Sequence, residues 1–150
     1  MTARRSETPE REFIDTNVLI YAHDVTAGKK QAIAQNLIRR LWESGTGCLS
    51  VQVLQEFFVT ITRKVGQPLS VDEAGARIRD YSLWRVFSAK PEDVVGAIEL
   101  QKRTGLSFWD AMILRAASEL GCDLLWTEDM NNGQFSGGVH IRNPFLADNS

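Results

Sequence analysis

Cysteine and histidine are scarce in this chain, with two of each in 150 residues. Cys48 and Cys122 lie far apart without a CxxC spacing, so a disulfide framework or a thiolate zinc site is not indicated and two buried thiols are expected. His23 and His140 have no second histidine at metal-ligand spacing, which argues against a zinc centre. No GxGxxG, no GxxxxGK[ST] and no nucleophile elbow occurs. No apolar run reaches membrane-spanning length, and Met1 to Arg11 carries charge with no apolar h-region, so neither a membrane span nor a signal peptide is expected. An excess of one charge is also missing. The formal net charge is -2, so no strong basic field advertises nucleic acid, although local Arg and Lys could still grip a few phosphates. These features suit a reduced, cytoplasmic protein.

What is present is enough apolar material, 43%, for one sizeable core. Strand signals at Glu12 to Asp15, Cys48 to Val51, Trp84 to Ser88, Asp123 to Thr127 and Val139 to Arg142 alternate with helical patterns. Helices are expected over Thr16 to His23, Lys29 to Trp42, a Ser50-capped segment to about Lys64, a Ser70-capped segment to about Ser82, Pro91 to Arg103, and Ser107 to Leu120. In the second of these, Ile33, Leu37 and Leu41 form the apolar stripe. The alternation predicts an α/β fold with a mostly parallel sheet, whose ligands bind beyond the carboxyl ends of the strands. Residues 1–11 are expected to be a flexible N-terminal segment, 12–146 the domain, and 147–150 a tail.

Several acids fall where carboxylates are costly to bury. Asp15 follows the apolar Phe13-Ile14, Glu56 sits in Leu54-Gln55-Glu56-Phe57, Asp110 in Ser107-Phe108-Trp109-Asp110-Ala111, and Asp129 after Trp126-Thr127-Glu128. Convergence of these acids would hold a hard divalent cation. Each also has a plainer explanation. Asp15 can be a helix N-cap, and Ser107-x-x-Asp110 is a capping-box signature. Glu56 points away from the stripe of Leu54, Phe57 and Ile61, so it can be a solvated helix acid. Asp129 can belong to a polar turn, with Glu128 competing for its role. Asp110 shares a helix face with Ile113, Leu114 and Ala117, and a carboxylate there needs a partner. Trp109 reads as a core aromatic, with base stacking as the alternative. Lys29, Lys30, Arg39 and Arg40 form the densest basic cluster, which a solvated helix face explains without RNA.

In order and spacing, Ile14-Asp15-Thr16-Asn17-Val18-Leu19-Ile20-Tyr21, Leu54-Gln55-Glu56-Phe57, Ser107-Phe108-Trp109-Asp110-Ala111 and Leu125-Trp126-Thr127-Glu128-Asp129-Met130 resemble the PIN domain, and within it the VapC-like toxins of toxin–antitoxin pairs. The resemblance covers about residues 12 to 146. It implies a three-layer fold with a five-stranded, mostly parallel sheet between helices. It places the family's acidic quartet on Asp15, Glu56, Asp110 and Asp129, with Asn17 and Thr127 as supporting residues. The activity implied is Mg²⁺- or Mn²⁺-dependent cleavage of RNA, with a cognate antitoxin as inhibitor and a homodimer as assembly. Where many relatives carry a further acid after the fourth, this chain has Asn131 and Asn132. A non-cleaving RNA- or protein-binding module and a DNA nuclease of the same superfamily are the alternatives.

Overall fold

Four of the six helices start at a residue whose side chain accepts from their free N–H groups, and these starts divide the chain into short strands and longer helices. The computed structural model describes residues 10–146. The terminal segments 1–9 and 147–150 lie outside the described residues. The elements are β1 (Glu12–Ile14), α1 (Thr16–His23), α2 (Lys29–Ser44), β2 (Gly47–Ser50), α3 (Val51–Ile61), α4 (Val71–Tyr81), β3 (Arg85–Phe87), α5 (Pro91–Thr104), α6 (Phe108–Glu119), β4 (Leu124–Trp126), β5 (Phe135–Ser136) and β6 (Val139–Arg142).

Asp15, Ser50, Ser70 and Ser107 cap α1, α3, α4 and α6 through their side-chain oxygens. Two expected boundaries move. α2 runs on to Ser44 and stops at Gly45, whose φ of 72° only glycine adopts without strain. α3 ends at Ile61, short of Lys64, because the Leu69 N–H donates to the Ile61 carbonyl at 2.9 Å, the acceptor that another helical turn would need. The stripe of α2 also differs from its expected form. Ala34, Leu37, Ile38 and Leu41 are buried, while Ile33 stays exposed at its margin.

The sheet order is β3-β2-β1-β4-β6-β5, with every pairing parallel except β5–β6. The five expected strands are present. The sixth, β5, is a two-residue strand joined to β6 through Gly137 and Gly138, whose positive φ angles of 60° and 82° suit a tight hairpin. Helices flank the sheet: α1 packs on α2 and α3, α3 on α4, and α5 on α6. Phe13, Ile14, Leu49, Leu125 and Ile141 are fully buried along the strands. Register then places the chemistry. Ile14 pairs with Trp126, so Asp15 and Thr127 emerge side by side at the carboxyl edge of the sheet.

A buried acid also anchors the other end of β1. Arg40 of α2 grips Glu12 with two hydrogen bonds of 2.7 and 2.8 Å, and Trp126 Nε1 donates to the same carboxylate at 2.8 Å. Burial alone would raise the Glu12 pKa, but the Arg40 and Trp126 hydrogen bonds carry it below the usual value. Arg40→Ala is expected to lower stability by about 1–3 kcal/mol in urea unfolding, because it leaves this carboxylate buried without its cation. Arg40→Lys should recover only part of that loss, since an ammonium cannot reproduce the two-pronged grip. Unchanged stability in Arg40→Ala would show that water replaces the guanidinium at no cost.

Candidate active site

The pairing of β1 with β4 and the packing of α3 on α1 bring four acids to one opening. Asp15, Glu56, Asp110 and Asp129 line a single cavity of about 330 Å³, together with Thr16 and Asn17. Asp15 is 5% exposed, Glu56 and Asp110 are half-buried, and Asp129 is exposed at the rim.

Asp15 is held from both sides. Its Oδ1 accepts from the Thr16 N–H at 2.7 Å, and its Oδ2 accepts from the Thr127 hydroxyl at 2.8 Å. Thr127 is fully buried, and its oxygen in turn accepts from the Asp129 N–H at 3.1 Å and from Asn17 Nδ2 at 3.3 Å. Asn17 Nδ2 also donates to Asp129 Oδ2 at 2.9 Å, while its Oδ1 accepts from the Glu128 N–H at 3.1 Å. Asn17 and Thr127 therefore link the first and fourth acids. On the other wall, Glu56 Oε1 accepts from the Thr16 hydroxyl at 2.6 Å and Oε2 from Gln52 Nε2 at 3.2 Å. Every one of these donors is neutral. Among the described residues, no ion pair reaches any of the four acids.

The acids consequently act on one another. Burial pushes the Asp15 pKa up to about 7, against the lowering effect of the Thr127 and Thr16 hydrogen bonds, and the charges of Asp110 and Glu56 push the same way as burial. Asp110 is raised by burial first and then by the charge of Asp129. An all-oxygen donor set with no cationic partner matches the preference of a hard divalent ion. It is not a closed cage, for among the described residues no three His, Cys, Asp or Glu side chains are gathered as a ready set of ligands. Mg²⁺ keeps several of its waters and needs only one or two direct carboxylates, so the open donor set fits it.

Glu128 does not share the position of Asp129. Its carboxylate accepts from the Tyr21 hydroxyl at 2.6 Å and pairs with Lys30, and none of these three residues lines the cavity. Asp110 forms only the first half of a capping box. Its N–H donates to Ser107 Oγ at 3.2 Å, whereas Glu73 of α4 also closes the reciprocal bond to the Ser70 N–H. The core reading of Trp109 is overturned, since the residue is 61% exposed beside the acids. Of the basic cluster, Lys30 is paired with Glu128, Arg40 with Glu12, and Arg39 with the Asn36 side chain. Asn132 accepts from the Asn143 N–H at 2.8 Å, away from the acids. His23 is half-buried and hydrogen-bonded to the Tyr81 hydroxyl at 2.7 Å, and Cys48 and Cys122 are buried free thiols.

Two residues of the cavity escaped sequence reasoning. Thr16 read only as part of a helix start, and Gln52 was not singled out. The signal for Gln52 is its spacing, four residues before Glu56 on the same face of α3.

Asp15 holds its proton up to about pH 7 in the folded chain but titrates near 3.8 when unexposed to these neighbours. The folded state thus binds more protons across that interval, and stability falls as pH rises through it. Between about pH 5 and about pH 8, the metal-free chain is expected to lose on the order of 1–3 kcal/mol of unfolding free energy. Asp15→Asn, which cannot ionise, should flatten this slope to less than half. Parallel slopes in urea titrations of the two proteins would refute the assignment.

Comparison with known proteins places this geometry. No curated protein matches the chain. Solved structures that share its fold include the following three. VapC20 of Mycobacterium tuberculosis, described as a sarcin–ricin-loop-cleaving toxin, has a TM-score of 0.61 at 23% identity, covering 79% of this chain and 91% of its own. A chain of a toxin–antitoxin complex from Klebsiella pneumoniae has a TM-score of 0.65 at 19% identity, covering 89% and 98%. A chain of DNA-bound VapBC from Salmonella typhimurium has a TM-score of 0.63 at 16% identity, covering 91% and 99%. The model of the PIN domain family matches residues 13–134, from β1 to the turn before β5, and so spans all four acids. The chain belongs to the PIN domain family.

Proposed function

We propose that this protein is a metal-dependent endoribonuclease acting as the toxin of a toxin–antitoxin pair. The observation that carries the reading is the single cavity lined by Asp15, Glu56, Asp110 and Asp129 with only neutral hydrogen-bond donors around them. Such an arrangement repels RNA on its own and becomes useful once a cation neutralises it.

Asp15, Asp110 and Asp129 would hold a Mg²⁺ or Mn²⁺ ion, with Glu56 completing the site directly or through water. A bound ion supplies polarisation of the scissile phosphate and a lowered pKa for its water. The chain supplies the geometry. Thr127 and the Thr16 N–H fix both oxygens of Asp15, so the carboxylate cannot rotate away. Asn17 holds Asp129 at the rim, and Thr16 with Gln52 aims Glu56 across the cavity. Where many relatives carry a further acid after the fourth, this chain has Asn131 and Asn132, so the reading takes one ion rather than two.

An antitoxin partner is supported by the two toxin–antitoxin complexes among the structural neighbours. A cationic side chain or chain end from such a partner would neutralise the four acids and block the cavity. Homodimeric assembly and action in the cytoplasm belong to the same reading. Among the described residues no helix is long and apolar enough to cross a membrane. One observation favours a second reading, a non-cleaving binding module: the acids line the cavity without forming a ready cluster of ligands.

Incubating the purified chain with labelled RNA and DNA in Mg²⁺, Mn²⁺ or EDTA separates the readings. RNA cutting abolished by EDTA is the expected result, and Asp110→Asn should slow it by about 100-fold or more while its circular dichroism stays that of the parent. Cutting that survives EDTA would remove the metal from the account, cutting of DNA alone would make the chain a DNA nuclease, and no cutting would leave the binding module.

A further inference from the structure

A second cavity, of about 410 Å³, adjoins the acidic one and has a different character. One wall is a stripe of α6, Trp109, Met112 and Ala116, at the i, i+3 and i+7 positions of one helix face. The facing wall is the first turns of α3, with Val51, Gln52 and Gln55, and Phe87 lies at the carboxyl end of β3. The volume is within the range of about 300–1,000 Å³ typical of small-ligand sites.

Two residues belong to both cavities. Gln52 and Trp109 line the acidic opening as well as this groove. Gln52 Nε2 spans the partition, 3.2 Å from Glu56 Oε2 and 3.4 Å from the Trp109 carbonyl. A molecule whose phosphate sits at the acids therefore has its neighbouring atoms directed along this partition.

The lining decides which part of that molecule enters. None of the residues around the groove carries a charge, so nothing there compensates a phosphate. What it offers is an indole that is 61% exposed and contacts Phe108 edge-on at 5.0 Å, with side-chain amides at Gln52 and Gln55. A lone exposed aromatic needs no explanation. One placed between carboxamides, at the edge of a proposed phosphate-cleaving site, has the composition that unpaired bases use: a flat apolar face for the ring and donors and acceptors for its edge.

We infer that this groove binds one unpaired nucleobase of the RNA, next to the scissile phosphate, by stacking on Trp109. The inference rests on the ribonuclease reading for its substrate and adds to it a subsite for one base beside the cut. Because every base has a π-face, stacking sets strand state and position, while Gln52 and Gln55 contact the base edge. A paired base would have to leave its helix to enter, so duplex RNA is disfavoured.

The test uses a fluorescein-labelled single-stranded RNA of mixed sequence, about ten nucleotides long, and a set in which each nucleotide in turn is made abasic. Binding is read by anisotropy on chains whose four acids are intact, with Ca²⁺ in place of Mg²⁺ so that the acids are neutralised while the RNA survives. One abasic position, or two adjacent ones, is expected to weaken binding by about 10- to 100-fold. Trp109→Ala should weaken the intact RNA by a similar factor and make that abasic position nearly silent, within about 2-fold. Trp109→Phe should retain most of the affinity. Independent, multiplying losses, or no sensitive position, would overturn the inference. So would an unchanged RNA profile in Trp109→Ala accompanied by dissociation of a dimer on sedimentation, which would assign the groove to a second copy of the chain. RNA cutting by the parent in Mn²⁺ is scored separately. If the parent cuts but the coupling is absent, only the groove fails; if the coupling is present without cutting, the groove stands and the ribonuclease reading fails.

Discussion

The Thr127 hydroxyl is fully buried where β4 ends, and it gives its only proton to Asp15 while accepting from the Asp129 N–H and from Asn17. One donor and two acceptor positions are all that a hydroxyl has, so each is used. Through that atom the end of β1, the start of α1 and the loop after β4 are joined, and with them the first and fourth acids. The strand register that pairs Ile14 with Trp126 makes the contact possible, and the hydrogen bonds of Thr127 and Asn17 turn that proximity into a fixed geometry. The same small group excludes a larger residue, since nothing bulkier fits a fully buried position without displacing one of its partners.

Around this joint the chain keeps charges apart from their usual neutralisers. Elsewhere it pairs several acids with cations, buried Glu12 with Arg40, buried Asp93 with Arg115 and half-buried Glu128 with Lys30, while buried Asp24 is held by the Thr26 N–H and hydroxyl. At the cavity it uses only hydroxyls, amides and backbone N–H groups, and burial, with the charges of the neighbouring acids, holds Asp15 and Asp110 with raised pKa values. A fold governed by stability alone would place a cation there. The convergence of four acids on one cavity with no cation beside them is the physical basis for assigning the cavity to an exogenous cation. Lys30, close in sequence to the site helix, is held by Glu128 and the Tyr21 ring and does not line the cavity.

The strands and helices were legible in the sequence because their signals are local. Ser50, Ser70 and Ser107 announce helix starts, Gly45 and Gly105 helix ends, and Phe13-Ile14 and Leu124-Leu125-Trp126 buried strands. The acids were visible as residues in awkward company, and their ordered resemblance to a family supplied the grouping that no single position could. Glu56 shows the limit. Its helix face says only that it avoids the core, and the Thr16 hydroxyl that aims it lies forty positions away. Trp109 was misread because an aromatic beside Ala111, Met112 and Ile113 resembles core, whereas its place in the first turn of α6 leaves it at the mouth of the groove. β5 was missed as a strand because two residues are too few to show a period. Glu128 and Asp129 differ by one position, and contacts distant in sequence separate them: Lys30 and Tyr21 hold Glu128, and Asn17 holds Asp129.

The claim on which the account rests is that four unpaired carboxylates form one site for a divalent ion. Calorimetric titration of the chain with Mn²⁺ in two buffers of different ionisation enthalpy, at about pH 6 and about pH 8, measures both affinity and protons released. The account predicts one saturable ion, bound more tightly at the higher pH, with proton release at the lower pH from Asp15 and Asp110, and loss of that binding in Asp110→Asn. Saturable binding that is unchanged in Asp110→Asn, or no saturable binding at millimolar Mn²⁺, would contradict it.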